Sequence, residues 1–479
     1  MALRRLAGAC LSLLAALGAR TALAEPPAIP EGFRALPSLG WKGGDHRVDL
    51  SLQHVSRVES WDARAHSSDT FYGERTRVGV RYGWREFLTL FGELQNTYVG
   101  GLAPDTSGAG ASYRSTMDGR GSDHSNRVRQ LYAEVAPHPS LALRAGRFDV
   151  RGGLEVTYPE PDWTYLKSQR LSQRLVGTVG WSIVERSNDG AQLSLDAGGH
   201  QLVAYAVKPT TGVFDVDRAY ERQDDILYGG IAWTVKRGTW LPGTELQLFG
   251  LGYRDDRPVD DGGLADPVEV FTAGASLLAV RPLGPGSVDV LLWAAGQGGS
   301  YDDLDHSAGA GVAELGYRLA EAPGQPWLRV GVNAASGDGD PGDGDHHTFF
   351  NVLPTNHLYY GFADQLAFQN VIDWFAQLQL APAPRLDVNL FLHQFSLADE
   401  DDARYSGTGA FDRRSFGFAA QPSGGRRSVG TELDAVIAWR AARGLTLEAG
   451  YSHLFGHAVF DGFDDEDTRF GYVMLTLRH

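Results

Sequence analysis

The chain has 479 residues, with 43% hydrophobic and 21% charged side chains, 60 glycines and a formal charge of −16. That acidity excludes general nucleic-acid binding as a main role, since a polyanion needs a basic partner surface. A mean hydropathy of −0.24 and the lack of a long apolar run beyond the N-terminus exclude a bundle of membrane helices, each of which needs about 20 apolar residues. They do not exclude a membrane barrel, whose strands alternate and average to near-neutral hydropathy.

The first predicted element is a secretory signal. Arg4 and Arg5 precede an apolar run from Leu6 to Ala19, and Ala22-Leu23-Ala24 ends in the small-x-small pattern that signal peptidase needs. Residues 1–24 are therefore expected to be removed, leaving Glu25 first and taking the formal charge from −16 to −19 with the loss of Arg4, Arg5 and Arg20. The run ending at Cys10 faintly resembles a lipoprotein box, but the cysteine lies ahead of most of the apolar stretch. Cys10 is the sole cysteine, so no disulfide staples the mature chain. Residues 25–45 are expected to form a periplasmic N-terminal segment, and 46–479 the main domain.

From residue 46 onward the signal is period two. Thr76, Val78, Val80 and Tyr82 share one strand face, and Arg75, Arg77, Gly79, Arg81 and Gly83 share the other. Ala313, Leu315, Tyr317 and Leu319 oppose Glu314, Gly316 and Arg318. Leu328, Val330 and Val332 oppose Arg329, Gly331 and Asn333. Leu386, Val388, Leu390 and Leu392 oppose Asp387, Asn389, Phe391 and His393. Leu433, Ala435, Ile437 and Trp439 oppose Glu432, Asp434 and Arg440. Such segments begin near residues 46, 75, 88, 127, 141, 190, 201, 226, 245, 269, 287, 309, 327, 371, 386, 429, 445 and 468. That is eighteen, an even number, as bacterial barrels require.

A soluble sandwich also alternates, so the connections decide. Short turns at 137–140, 197–200, 281–286, 381–384 and 441–444 interleave with long polar segments at 97–126, 149–189, 208–225, 336–370, 398–428 and 454–467. Short turns on one rim and long loops on the other mark the outer-membrane arrangement, and a soluble domain rarely needs so many long loops. The fold expected is all-β: a transmembrane, antiparallel, up-and-down barrel with short periplasmic turns and long extracellular loops. Every backbone group in lipid must be paired within the protein, so the sheet must close. Apolar faces then meet lipid and charged faces line the lumen. Trp84, Trp233, Trp374, Trp439 and Tyr451 suit interfacial girdles, or equally an ordinary core. The last segment, Phe470 to His479, alternates to its end, but closes on His479 where outer-membrane proteins commonly end in a Phe read by the barrel assembly machinery.

The chain resembles the alginate export family of outer-membrane proteins. The resemblance is carried by Ala335-Ser-Gly-Asp-Gly-Asp-Pro-Gly-Asp-Gly-Asp345, Thr348-Phe-Phe-Asn-Val-Leu-Pro354-Thr-Asn-His357, Tyr359-Tyr-Gly361 and Asp364. Gly146-Arg147, Arg174-Leu-Val-Gly177, Asp189-Gly190 and the strand from Arg75 to Tyr82 support it. The resemblance implies a monomeric eighteen-stranded barrel in the bacterial outer membrane, and a type member that exports the anionic polysaccharide alginate through an arginine-rich pore. It does not imply that alginate itself is the substrate here.

Three constellations could carry chemistry. Arg75, Arg77, Arg81, Arg144, Arg318 and Arg329 fall on polar strand faces, and Arg151, Arg170 and Arg174 lie in the long loop after the fifth strand, which could fold inward. The planar guanidinium fork suits carboxylates, so a ring of these would form a path for an anionic saccharide. The alternative is a charge-balanced wall, with Glu93, Glu134, Glu245, Asp289, Glu314, Asp373 and Asp387 as partners. Next, Asp338, Asp340, Asp343 and Asp345 could hold Ca²⁺, although they do not match an EF-hand, and a solvated loop explains them too. Asp399–Asp402 and Asp464–Asp467 read as solvated charge, bridged to lipopolysaccharide by divalent ions. Finally, His346, His347 and His357 share one loop, a weak metal signal. No cofactor is required, and no nucleophile elbow, phosphate loop or zinc-protease motif is present. The expected role is diffusion of an anionic saccharide or polysaccharide. The alternatives are a general or substrate-specific nutrient porin, or an enzyme or adhesin built on the barrel.

Overall fold

The computed structural model describes residues 40–63, 69–261, 263–407, 420–461 and 467–479. The predicted signal peptide and most of the 25–45 segment lie outside these residues. Eighteen long strands follow one another around a single antiparallel sheet: β1 (His46–Ala63), β2 (Asp69–Trp84), β3 (Leu88–Gly100), β4 (Ser122–His138), β5 (Leu141–Phe148), β6 (Asn188–Ala197), β7 (His200–Pro209), β8 (Ile226–Val235) and β9 (Thr244–Asp255). The second half comprises β10 (Val268–Leu283), β11 (Gly286–Tyr301), β12 (Leu304–Arg318), β13 (Trp327–Ala335), β14 (Val371–Ala383), β15 (Leu386–Ser396), β16 (Ser428–Ala442), β17 (Leu445–Gly456) and β18 (Thr468–Arg478). β1 pairs with β18 from Gln53↔Arg478 to Ala63↔Thr468, so the sheet closes. At that seam His479 donates its backbone N–H to Leu52 at 2.8 Å and accepts from it at 3.2 Å. A short strand, Gly40–Gly43, folds back on the start of β1.

The burial pattern settles which face meets lipid. Val78 and Val80 are 49% and 44% exposed on the outside, whereas Arg77, next to Val78 on the opposite face of the strand, is 6% exposed. A soluble sandwich would show the reverse. Leu94, Leu131, Leu328, Val330, Leu392 and Leu433 likewise stand outward and bare, as an apolar band in hydrocarbon requires. Trp84, Trp233 and Trp439 sit near the ends of their strands on the short-turn rim, and Trp374 near the opposite rim.

The turns at 139–140, 198–199, 284–285, 384–385 and 443–444 contain two residues each, and all lie on the periplasmic rim. Gly444, at φ 79°, places a bare Cα beside the Arg478 carbonyl, which leaves no room for a side chain there. The outer connections, numbered here L1 to L9 in chain order, include L2 (101–121), L3 (149–187), L4 (210–225), L7 (336–370) and L8 (397–427). Sequence boundaries and structure agree to within a few residues, with β2, β4 and β12 extending further outward than their alternation reveals.

The long outer loops are not merely polar. L3 and L7 contribute Trp163, Leu166, Leu171, Leu175, Val176, Phe349, Phe350, Leu353, Tyr359 and Tyr360 to a core that fills much of the barrel against Leu251, Trp293 and Trp327 of the wall. A second core joins L2, L3 and L4 to the outer ends of β1, β2 and β18, through Tyr113, Met117, Ile183, Val213, Phe214, Trp61, Phe71 and Phe470.

Candidate functional site

L3 leaves β5 at the outer rim and descends inside the barrel. Its short helix Pro161–Tyr165, with Pro161 pre-set for the first turn, continues into the wider turn Leu166–Leu171. This piece reaches the periplasmic end of the wall. Asp162 meets Arg318, the last residue of β12. Glu160 meets Arg237, in the turn after β8, at 2.6 Å. Lys167 bonds Glu245 at 2.5 Å, and Glu314 takes Arg170 at 2.8 Å and Arg174 at 3.1 Å. Arg329 bonds Asp289 at 2.5 Å and approaches Glu314 at 3.4 Å. The contacts Asp162–Arg318, Glu160–Arg237, Lys167–Glu245 and Arg170–Glu314 each set a charge of the wall or its turns against an opposite charge of the loop that fills the barrel.

Beside the filled half runs a cavity of about 900 Å³. It reaches Arg478 and His479 at the periplasmic rim and ends inward at Arg57, Arg75, Arg77, Trp181 and Glu185. Tyr165, Phe362, Phe391 and Tyr472 also line it. Among the described residues, the second core covers its outer side, so this space is a vestibule facing the periplasm.

The head of the vestibule is an arginine cluster closed on one acid. Glu185 receives Arg75 at 2.6 Å and Arg77 at 3.1 Å from β2, and Arg129 at 2.9 Å from β4. Arg129 also bonds Glu93 and Asp149, each at 2.8 Å. Burial alone would raise the Glu185 carboxyl, but the guanidinium groups of Arg75, Arg77 and Arg129 outweigh it and hold that carboxyl well below the usual carboxylate range. Arg129 points inward because β4 carries a bulge: Glu93 pairs with Gln130 and Leu94 with Val128, leaving Arg129 as the extra residue. Next to the cluster the Arg57 guanidinium lies 3.7 Å from the centre of the Trp181 ring, which also stacks on His357 at 4.0 Å and meets Tyr472 edge-on at 4.7 Å.

The arginines expected from the sequence divide accordingly. Arg75 and Arg77 come together at the vestibule head. Arg81 sits lower on β2, exposed to the lumen, with its guanidinium 5.0 Å from the Phe91 ring. Arg144 is paired with Glu134 at 2.6 Å. Arg151 flanks the cavity beside Asp149. Arg174 and Arg318 hold L3 to the wall, and Arg329 pairs within the wall with Asp289 and Glu314. All seven expected acids have a basic or imidazole partner, including His393 on Asp373 at 3.0 Å and Arg440 on Asp387. Arg57, Arg129 and Glu185 went unread in the sequence. Parity places Arg57 inward, but the outward positions His54, Ser56 and Ser60 hide the period of β1, and the bulge breaks it at Arg129.

In L7, Asp343, Asp345 and His347 bring one ligand atom each within 4.8 Å of one another. Asp338 accepts from the Asp340 N–H at 3.3 Å and from the His347 backbone N–H at 3.5 Å, and Asp340 in turn accepts from Gly342 at 3.4 Å. The three loop histidines separate: His346 bonds His306 at 2.8 Å, His347 contacts Ser307 at 3.0 Å, and His357 bonds Asp364 at 2.8 Å.

A closed eighteen-strand antiparallel barrel with an apolar outer band and a charged lumen defines an outer-membrane channel, and places the protein in the bacterial outer membrane. The chain belongs to the alginate export family, whose sequence profile matches residues 129–472. No curated protein matches it in sequence. Among solved structures it is similar to Pseudomonas aeruginosa OccK9 (OpdG), at 12% identity and a TM-score of 0.59, over 90% of this chain and 98% of that one. OpdK of the same organism, solved with vanillate, matches at 10% identity and 0.57 over 90% and 98%. OccK2 (OpdF), solved in complex with glucuronate, matches at 11% identity and 0.55 over 90% and 97%.

Proposed function

We propose that this channel conducts carboxylate-bearing saccharides, entered from the periplasmic vestibule. The observation that carries the reading is the convergence of Arg75, Arg77 and Arg129 on a single carboxylate at the head of that vestibule. Guanidinium forks match carboxylates by two parallel hydrogen bonds, and several weak sites in series let a chain enter and leave. Tyr165, Phe391 and Tyr472 add flat apolar faces beside the charged wall, suited to sugar rings. Membership of the alginate export family and the glucuronate and vanillate bound by two similar barrels support the same chemistry.

Planar-bilayer recordings test it. An anion-selective reversal potential and brief interruptions of the open-state current by a polyuronate, both weakened by Arg77→Glu with Arg81→Glu, are the results expected. Cation selectivity without such interruptions overturns the reading. A nutrient porin of low charge selectivity is the second reading, and the acid-by-acid pairing of the lumenal wall favours it, since a neutralised wall exerts little field.

A further inference from the structure

We propose that Glu185 is a tethered surrogate for a substrate carboxylate: it occupies the anion site of Arg75, Arg77 and Arg129, and a permeating uronate opens the channel by displacing it. The inference rests on the reading of the lumen as a path for carboxylates, and adds how that path is kept shut.

Four observations converge. The first is stoichiometry. Three guanidinium groups from two wall strands meet on one loop carboxylate, and Glu185 is 3% exposed. Even so, Arg75 Nε and Arg129 Nε are buried with no hydrogen-bond partner among the described residues. These two donors stay open although Glu93 and Asp149 also take Arg129, and Gln95 and Gln53 also take Arg77, so the cluster keeps capacity for a further acceptor.

The second is backbone conformation. Glu185 lies at φ 64°, Val179 at φ 55° and Val213, whose N–H bonds the Glu185 carbonyl at 3.0 Å, at φ 54°. Left-handed backbone is unfavourable for any side chain and most so for the β-branched valine. The docked loop tip is held in that geometry by its contacts and relaxes if they are released.

The third is what the tip supports. Arg75 donates to the Ser182 carbonyl at 2.8 Å, Gln95 to the Val184 carbonyl at 3.0 Å, and the Ile183 N–H to the Tyr113 hydroxyl at 2.7 Å. Ile183 and Val184 belong to the second core, the layer that covers the vestibule. Displacing Glu185 therefore loosens the cover itself.

The fourth is access. Arg75, Arg77 and Glu185 all border the cavity that reaches the periplasmic rim, so a solute arriving from that side meets the latch before the cover. A polyuronate presents many carboxylates at high local concentration and competes far better than a single sugar acid.

The test uses the full-length channel in planar bilayers, with Glu185→Gln and, separately, Arg75→Gln with Arg77→Gln. Heat-modifiable migration on electrophoresis confirms a folded barrel in each. In the wild-type channel, a uronate oligomer added on the periplasmic side should raise open probability, and neutral galactose should not. Glu185→Gln should be open without ligand, by about 5- to 150-fold over wild type, and should no longer respond to the oligomer. The double arginine variant should also open, since it removes the other half of the same contact, and should lose affinity for the oligomer as well. Unchanged basal opening in both variants overturns the latch, whatever the selectivity. Opening by Glu185→Gln in a channel that neither selects anions nor responds to the oligomer leaves a structural latch, but sinks its displacement by substrate along with the carboxylate path.

Discussion

The Arg57 guanidinium lies 3.7 Å from the centre of the Trp181 ring, joining the barrel wall to the tip of L3. Such a contact is worth about 0.5–2 kcal/mol, depending on how far it is desolvated. Trp181→Leu should therefore raise the frequency of channel opening roughly 2- to 30-fold. Combined with Arg57→Ala it should add little, because the Arg57 variant already loses this contact along with its buried ion pair to Glu59. Single-channel recording of the two variants and their double checks this; simple additivity would show that the residues act separately.

Glu314 is the buried hub of the other half of the lumen, bonded by Arg170 and Arg174 and approached by Arg329. Glu314→Gln leaves these guanidinium groups in a dry interior without their acid. Breaking one side of a buried ion cluster costs about 3–5 kcal/mol. L3 should come away from the wall, and trypsin should then cut after Arg170 or Arg174, which are buried in the native protein. Mass spectrometry of the digest reads the outcome directly.

The pH dependence of the Glu185 contact has a definite sign. Its folded carboxyl lies well below the usual carboxylate range, because Arg75 and Arg77 of β2, Arg129 of β4 and Arg151 of L3 face it, with the Tyr220 hydroxyl of L4 nearby. A depressed acid contributes stability above its unfolded value, and that contribution is lost only as pH falls through the folded value. Conductance should accordingly stay flat from pH 7 to about 4, the ordinary unfolded value of a glutamate. A rise in open probability between those limits would contradict the ion-paired geometry.

The outward apolar band makes a simple prediction about assembly. Val80→Arg puts a charge on the lipid face, and should cost about 2–4 kcal/mol if Val80 lies near the bilayer midplane. Ser51→Arg, one strand away but exposed to the lumen, should be tolerated. The fraction of heat-modifiable barrel after folding into lipid vesicles compares the two.

Much of this architecture is legible in the chain. Where lipid-facing residues are apolar without interruption, as along Leu386 to Leu392, both strand limits and face are read from alternation. Alternation fades where the outer end of a strand emerges from hydrocarbon: His54, Ser56 and Ser60 of β1 face outward yet are polar, so Arg57 stands in no contrast to them. It fails at Arg129, where one extra residue reverses parity within a strand. Glu185 was beyond reach for a different reason. Its importance comes from tertiary convergence of three strand arginines on a loop residue with left-handed backbone, and no local pattern encodes that. The apolar pairs Phe349-Phe350 and Tyr359-Tyr360 carried a readable hint that L7 is packed rather than solvated.

The seam between β1 and β18, tied off by His479 against Leu52, has one more consequence. Because the ring is completed by its final strand, a chain cut short before Thr468 would not be a slightly smaller pore. It would be a curved ribbon with two raw margins, each a row of unmet amides and carbonyls in contact with hydrocarbon. Shortening at this end should therefore behave as a threshold, abolishing maturation outright instead of narrowing the conduit by degrees.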